Sequence, residues 1–258
     1  MYIIILLVSV VRCMDPVTKD LVTPLRQNGE ACGYESCPPH KEGMINVHIV
    51  PHTHGELGYS ATFHQHYTGT DDFYTNTNIN MKRILDFTIS ELWAHEERKF
   101  TFSDMPYFFH WWANRDGTVR RMVYQLLRQG RLHFVGGGWG MVDEATTNYH
   151  AVVDQFTYSL RKLNATFLEC GLPLVSWQAD SFGHSKEIAS MMALMGFDGH
   201  FINPISFDDE LARMRRKGME FLWRGNDDIG AETDIYTHKL FDGYWSPPGF
   251  CFGTMRSG

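Results

Sequence analysis

One stretch constrains the fold of this chain more than any other, namely residues 174–185, which read Leu-Val-Ser-Trp-Gln-Ala-Asp-Ser-Phe-Gly-His-Ser. An apolar run there ends in Asp180, and a turn of small residues leads into a helical pattern. Such a carboxylate lies at the carboxyl end of a strand, where parallel α/β folds bind their ligands. The alternative is a capping role alone, because Asp180 or Ser185 could accept the first free N–H groups of the helix.

A second stretch, residues 46–59, also ends in side chains that bind metals. It reads Asn-Val-His-Ile-Val-Pro-His-Thr-His-Gly-Glu-Leu-Gly-Tyr. His54 and Glu56 are two residues apart, a spacing that puts both side chains on one face of an extended strand. Together with Asp180 they supply one nitrogen and two oxygen donors, a set that suits an open catalytic Zn²⁺ site.

Size and charge exclude several classes of protein. With 258 residues, of which 43% are hydrophobic and 14% aromatic, the chain can bury the core of one α/β barrel, which excludes a disordered or collagen-like class. The formal net charge is −7, and the sequence contains no long run of basic residues. This balance argues against nucleic acid and anionic membrane surfaces as partners.

Strands and helices alternate along most of the chain. Apolar patterns predict strands over 46–52, 99–105, 131–135, 174–180, 197–203 and 219–224. They predict helices over 79–97, around 119–127, and over 149–169, 185–195 and 208–217. The sequence after Arg224 reads as irregular. Such alternation is typical of a parallel sheet covered by helices, and closing it into a barrel is the simplest way to bring the first and fourth strand ends together.

The first residues have the composition of a secretory signal peptide. Residues 2–11 form an apolar run, shorter than the roughly 20 residues that a membrane span requires. We interpret 1–14 as a signal peptide and 15–45 as an irregular lead-in, with an incorrect or incomplete chain start as the alternative. Without Cys13, four cysteines remain, which permits disulfides in an oxidising compartment. The glycosylation acceptor sequence Asn164-Ala-Thr166 agrees with such a compartment.

Several segments match, in order, those of a known enzyme family. The stretch over 46–59 contains Pro51-His-Thr-His-Gly-Glu-Leu-Gly-Tyr59, and the stretch over 174–185 contains Asp180-Ser-Phe-Gly-His-Ser185. Further matching segments are Gly137-Gly-Trp-Gly-Met-Val-Asp-Glu-Ala145, Val153-Asp-Gln155 and Met195-Gly-Phe-Asp-Gly199. From about Cys37 to Cys251 the chain resembles the glycoside hydrolase family 38 α-mannosidases, most closely their lysosomal branch.

The resemblance implies a fold and a function. The family's catalytic domain is a parallel (β/α)7-type barrel, so residues 46–258 would be its amino-terminal part, truncated and incomplete at the C-terminus. The implied reaction is the zinc-dependent, retaining hydrolysis of terminal α-mannosyl residues of N-glycans. The implied substrate is an α-mannoside oligosaccharide. The implied location is the secretory pathway, with the lysosome or the cell exterior as destination.

The resemblance also implies roles for single residues. Asp180 would be the nucleophile and a Zn²⁺ ligand, and His54 and Glu56 would be further metal ligands. Tyr59 would bind substrate by stacking under the sugar. The family's fourth ligand, a histidine, and its acid/base aspartate correspond to positions beyond Gly258.

Departures from the family pattern keep alternatives open. Glu56 stands where the family has aspartate, Tyr59 replaces tryptophan, and Pro204 replaces an arginine near the nucleophile. These changes motivate a second hypothesis, a non-catalytic mannose-binding protein or relic paralogue. A third hypothesis is a metal-dependent polysaccharide deacetylase, but the His-x-x-x-His pair typical of that class does not follow Asp180.

Other polar side chains lie near the two stretches. Asp143 and Glu144 follow a Gly-Gly-Trp turn and could either support the site from behind or belong to a plain loop. His64 and His66 could bind a metal, although a solvated loop is the commoner setting for such a pair. His184 is predicted to orient its own turn rather than to bind metal.

Overall fold

A computed structural model describes residues 2–7, 32–55, 57–59, 61–69, 80–180 and 182–244 of the chain. The chain divides into two compact units. Among the described residues, the first unit holds those up to 133 together with 163–172, and the second unit holds 134–162 and those from 173 onward. No helix in these ranges is long and apolar enough to cross a membrane.

The described residues form strands and helices in alternation. The strands are β1 (Tyr2–Leu7), β2 (Val47–His52), β3 (Phe100–Phe102), β4 (Leu132–Phe134), β5 (Val175–Gln178), β6 (Gly199–Ile202), β7 (Glu220–Arg224), β8 (Asp234–Lys239) and β9 (Phe241–Tyr244). The helices are α1 (Phe63–Thr68), α2 (Met81–Ala94), α3 (Met105–Ala113), α4 (Gly117–Arg128), α5 (Tyr149–Phe167), α6 (Lys186–Leu194) and α7 (Phe207–Arg216).

One sheet has the strand order β1-β2-β3-β4. The apolar run predicted as part of a signal peptide supplies β1, which is antiparallel to β2 with Tyr2 opposite His52. In contrast, β2 and β3 are parallel, with His52 opposite Thr101. Parallel strands end at the same edge of a sheet, so the residues that follow His52 lie beside those that follow Phe102.

The second sheet has the strand order β5-β6-β8-β7. Three of its strands, β5, β6 and β8, are parallel, whereas β7 is antiparallel to β8. Two expectations are therefore wrong: β7 is not a further parallel strand, and the sequence after Arg224 is not irregular. The reason is the length of the link over 225–233, which is shorter than the roughly dozen residues that a crossover between parallel strands needs.

Capping side chains fix where the helices begin. The Asn80 side chain accepts the N–H of Arg83 at the start of α2, and Asp116 accepts the N–H groups of Thr118 and Val119 at the start of α4. The predicted cap at Ser185 is confirmed, because its hydroxyl accepts the N–H of Ile188. These bonds satisfy donors that have no partner within the helix, which stabilises each helix start by about 1 kcal/mol.

Helix α3 replaces the end of a predicted strand. The strand expected over 99–105 covers only Phe100–Phe102, and a helix begins at Met105. Its residues Tyr107, Phe108 and Trp111 are each no more than 1% exposed. Because the helix is buried on several faces, it has no polar stripe from which helical periodicity could be recognised. Pro106 in its first turn is compatible with a helix start.

The second unit has an apolar core between α5, α6 and β8. It contains Val142, Val152, Phe156, Ile188, Ala189, Met191, Met192, Phe197 and Ile235. Met191 and Met192 are buried in this core, and Met195 packs against it.

The predicted α/β class is confirmed, whereas the predicted barrel is not. Parallel pairing joins β2 to β3 and joins β5, β6 and β8. The described residues form two four-stranded sheets and no closed barrel. The (β/α)7 arrangement remains a prediction.

A disulfide bond joins Cys32 to Cys170 within the first unit. The two Cα atoms are 5.5 Å apart, inside the range that such a bond requires. It ties the lead-in to the turn that follows α5, which agrees with the expectation that the cysteines permit disulfides. Cys251 lies outside the described residues.

Candidate active site

The first predicted ligand lies in a segment that we call the His54 loop, residues 53–59, which follows β2. Thr53 is buried and His54 is half-buried. Glu56, the second predicted ligand, lies outside the described residues. Tyr59 has 77% of its surface exposed, and its carbonyl oxygen accepts a hydrogen bond from Nε2 of His66 at 3.0 Å. The backbone at the end of the loop is thus held by α1.

A carboxylate that the sequence did not single out fixes the start of this loop. Asp104 follows β3 and is only 6% exposed. Its carboxylate accepts the hydroxyl of Thr53 at 2.9 Å and the backbone N–H of Gly55. Both neighbours of His54 in the sequence are therefore bound to one side chain. Strand-end position, the rule that identified Asp180, would also have identified Asp104, because β3 is parallel to β2.

Burial dominates the electrostatics of Asp104. It raises the pKa of the carboxyl group, and the nearby His54 together with hydrogen bonds from Gly55, Thr53 and Ser103 offsets part of this rise. The contact at Gly55 is close, since a Cβ atom there would lie 3.0 Å from a ring carbon of Tyr107 and 3.1 Å from Cγ of Asp104.

The second predicted ligand segment, which we call the Asp180 turn, covers residues 179–185 between β5 and α6. Asp180 is half-buried and comes two residues after the end of β5, at the carboxyl end predicted for it. Gly183 has φ of +83°, in the left-handed region, where glycine is not strained. Ser181 lies outside the described residues.

Glu144 connects the two ends of this turn. Its side chain is 2% exposed. The carboxylate accepts the side-chain N–H of Gln178 at 3.1 Å and the backbone N–H of Ser185 at 2.6 Å. Nδ1 of His184 lies 3.1 Å from the same carboxylate. The two open interpretations of Glu144 are thus decided, because this side chain supports the turn rather than a plain loop.

Two amides complete the network. The side chain of Gln178 exchanges hydrogen bonds with the backbone of Val142, accepting at 3.0 Å and donating at 2.9 Å. The side chain of Asn203 donates to the carbonyl oxygen of Ala179 at 3.1 Å. The Asp143 side chain instead accepts the N–H of Ala145 and so forms a local turn.

Three further predicted positions are placed as follows. His64 and His66 lie on α1 rather than in a solvated loop, which corrects the expectation for them. The capping box of Thr62 and Gln65 that starts α1 was not recognised in the sequence. Pro204 is half-buried and follows β6, next to Asn203.

The structure assigns the predicted ligands to separate units. His54 and Tyr59 belong to the first unit, and Asp180 belongs to the second. No group of three or more His, Cys, Asp or Glu side chains that could hold a metal ion occurs in the part of the chain that is described. The Zn²⁺ site therefore remains a prediction.

The fold and the two loops define an α/β domain whose histidine and carboxylate lie at the carboxyl ends of parallel strands. The chain belongs to family 38 of the glycosyl hydrolases, since residues 44–256 match the "Glycosyl hydrolases family 38 N-terminal domain".

Sequence comparison supports this family. The "Lysosomal alpha-mannosidase" of Cavia porcellus is 42% identical over 236 residues, which cover 91% of this chain and 23% of that protein. The human "Lysosomal alpha-mannosidase" is 40% identical over 87% of this chain and 22% of its own length. This chain thus spans less than a quarter of the length of these curated relatives. A crystal structure of an alpha-mannosidase from Enterococcus faecalis V583 aligns with 64% of this chain and 18% of that chain, with a TM-score of 0.49 and 16% identity.

Proposed function

We propose that this chain is the amino-terminal part of the catalytic domain of a zinc-dependent, retaining α-mannosidase that removes terminal α-mannosyl residues from N-glycans. The observation that carries the proposal is Asp180, which lies at the carboxyl end of β5 inside a 44–256 match to family 38. The names of the relatives give the substrate class.

Each named residue has a proposed role. The Asp180 carboxylate attacks the anomeric carbon, while a second carboxylate protonates the leaving oxygen; water then hydrolyses the glycosyl ester with net retention. The resemblance puts that second carboxylate beyond residue 258. Tyr59 offers an exposed ring on which a sugar can stack.

The proposed metal ligands are His54, Glu56 and Asp180. One imidazole nitrogen and two carboxylates are donors that suit Zn²⁺, and His54 and Asp180 each follow a strand with a parallel neighbour. Bound Zn²⁺ would supply a Lewis acid and a template for adjacent sugar hydroxyls. Glu56 is one methylene longer than the aspartate of the family pattern, so we expect weaker zinc binding than in family members with aspartate.

Domain boundaries and location follow from the same proposal. Residues 1–14 would be a signal peptide, 15–45 a lead-in, and 46–258 part of a (β/α)7 barrel in a protein of the lysosome or cell exterior. The disulfide between Cys32 and Cys170 supports an oxidising compartment. Asn164 is exposed on α5, which leaves its acceptor sequence accessible to glycosylation.

Enzyme assays on the full-length gene product test the proposal. We expect one tightly bound zinc ion and hydrolysis of an aryl α-mannoside at acidic pH. Asp180→Asn should lower kcat by roughly 10⁴-fold, the scale observed when one member of a catalytic set is removed. The matched control is Asp208→Asn, an exposed carboxylate on α7 whose change should leave the rate unaltered. A folded wild-type protein with neither zinc nor turnover would overturn the proposal.

The second candidate is a mannose-binding protein without turnover. Glu56, Tyr59 and Pro204 favour it, because each departs from the catalytic pattern at a predicted site position. Its signature would be a rise in the thermal unfolding temperature with mannose but not with galactose, together with a rate equal to that of Asp180→Asn. If no sugar shifts the unfolding temperature, binding is excluded as well.

A further inference from the structure

The buried pair of Glu144 and His184 lies beside the Asp180 turn and has no role in the chemistry described above. Their side chains are 2% and 5% exposed. Burying two ionisable groups costs free energy that their mutual attraction often fails to recover, so such a pair calls for an explanation other than stability.

The hydrogen-bond geometry is compatible with a charged pair. Nε2 of His184 lies 2.9 Å from the carbonyl oxygen of Asn203, which can only accept, so Nε2 carries a hydrogen. Nδ1 lies 3.1 Å from the Glu144 carboxylate, which already accepts from Gln178 and Ser185 as an ionised carboxylate does. A hydrogen on Nδ1 as well would make His184 an imidazolium and Glu144 its counter-ion.

No other described histidine near Glu144 competes for this role. His200 lies close enough for the charges of Glu144 and His184 to act on it, but burial lowers its pKa to about 4. At neutral pH it is uncharged, and its Nδ1 lies 3.1 Å from the Ser176 hydroxyl instead. Of these two histidines, His184 is therefore the one whose ring contacts Glu144.

The pair holds the Asp180 turn at both ends. Glu144 binds Gln178, two residues before Asp180, and Ser185, five residues after it. His184 attaches the end of the turn to the backbone of Asn203, whose side chain in turn holds Ala179. The residues on either side of Asp180 are thereby linked, in part through hydrogen bonds to the Glu144 carboxylate, and charged hydrogen bonds are about twice as strong as neutral ones.

We propose that Glu144 and His184 form a buried ion pair that positions Asp180 for reaction. The pair itself follows from the contacts alone, whereas its effect on rate depends on the proposed function of Asp180. Neither side chain is assigned a contact with substrate, so both are positioning residues rather than catalytic ones.

Nitrogen NMR of the ring of His184 tests the pair without reference to activity. In the wild-type gene product at pH 7, both ring nitrogens should carry a hydrogen, with His184→Gln providing the assignment by loss of signal. In Glu144→Gln the ring should carry one hydrogen only. A wild-type ring with a single hydrogen at pH 7 would overturn the ion pair.

Exchange and kinetics test the positioning. Glu144→Gln should speed amide hydrogen exchange in a peptide covering residues 179–186 while leaving peptides of the first unit unchanged. It should lower kcat by about 10–100-fold with KM changed less than about twofold, the scale of losses at groups that support an active site. Asp143→Asn is the matched control, because it makes the same carboxyl-to-amide change one residue earlier, at a side chain that bonds locally to Ala145. It should alter neither the exchange rate over 179–186 nor kcat.

Each outcome has one meaning. Unchanged exchange and unchanged kcat in a folded Glu144→Gln protein would overturn the positioning role. If that variant does not fold, Glu144→Asp replaces it, because it keeps the charge but shortens the reach. Faster exchange over 179–186 than in wild type would then support the role, and exchange equal to wild type would overturn it. If the wild type has no activity, the proposed function fails, and the exchange result still decides whether the pair orders the turn.

Discussion

Two buried carboxylates hold the two predicted ligand segments, and they do so with different partners. In the first unit, Asp104 accepts from the Thr53 hydroxyl and the Gly55 N–H, both neutral donors. In the second unit, Glu144 accepts from neutral donors and also from His184, a cation. The imidazole of His54 also lies close enough to Asp104 for its charge to lower the carboxyl pKa.

This difference in partners determines how much stability the protein should lose when one partner of each carboxylate is removed. Burial leaves the pKa of Asp104 raised despite its neutral donors and the nearby His54, whereas Glu144 has a counter-ion at hydrogen-bond distance. When a loop is held by neutral donors, removing one of them should lower the free energy of unfolding only slightly. When a turn is held by an ion pair, removing one member should lower the free energy of unfolding strongly, since the remaining charge is buried without a partner.

Removing the charged donor should have the largest effect. We expect His184→Leu to lower the free energy of unfolding by about 3–5 kcal/mol, because Glu144 would stay buried without its cation. Urea unfolding of the chain measures this loss. His150→Leu, at an exposed position on α5, is the control and should stay within about 0.5 kcal/mol of wild type. A loss below about 1 kcal/mol for His184→Leu would contradict the claim that Glu144 depends more strongly on its partner than Asp104 does on a neutral donor.

Lowering the pH should destabilise the second unit, because the buried His200 takes up a proton less readily than it does in the unfolded chain. Burial lowers its pKa from 6.5 to about 4, so between these pH values the unfolded chain binds a proton that the folded chain does not. The contribution of His200 to stability is therefore complete above about pH 6.5 and falls by about 3 kcal/mol as pH drops to 4.

Unfolding curves measured between pH 7 and pH 4 separate this contribution from others. We expect His200→Gln to lose less stability over that range than wild type, by about 3 kcal/mol. His150→Gln, which alters an exposed histidine in the same unit, should follow the wild-type curve. Parallel curves for wild type and His200→Gln would show that the pKa of His200 is the same in the folded and unfolded chains.

The sequence predicted the strand ends but not the groups that fix them. Asp180 and Ser185 were placed correctly because a short apolar run, a small-residue turn and a capping residue are local signals. Asp104 was missed because its partners, Thr53 and Gly55, are far away in sequence and join it only through parallel pairing of β2 and β3. Such contacts leave no periodic trace in the chain.

Other errors have the same physical origin. Helix α3 is buried on several faces, so its sequence shows no amphipathic pattern. The antiparallel pairing of β7 with β8 follows from the short link at 225–233, a constraint on chain length rather than on residue type. Whether His54 and Asp180 share a metal depends on how distant segments meet, which local patterns do not encode.

Because little space surrounds Gly55, adding one methyl group there should destabilise the His54 loop. In Gly55→Ala the new Cβ would lie 3.0 Å from the Tyr107 ring and 3.1 Å from Cγ of Asp104. Tyr107 is fully buried and Asp104 is held by hydrogen bonds, so neither can move freely. We expect a loss of about 1–3 kcal/mol in urea unfolding. Gly58→Ala, in the same loop with no atom within 4 Å, should be neutral and serves as the control.

The smallest effect should come from removing one neutral donor. Thr53→Val keeps the shape of the side chain but removes the hydroxyl that Asp104 accepts at 2.9 Å. Because Gly55 and Ser103 continue to donate to Asp104, we expect a loss of only about 1 kcal/mol. Thr118→Val, at an exposed position on α4, is the matched control. If Thr53→Val lowered the free energy of unfolding as much as His184→Leu, a cationic partner would stabilise a buried carboxylate no better than a neutral donor does.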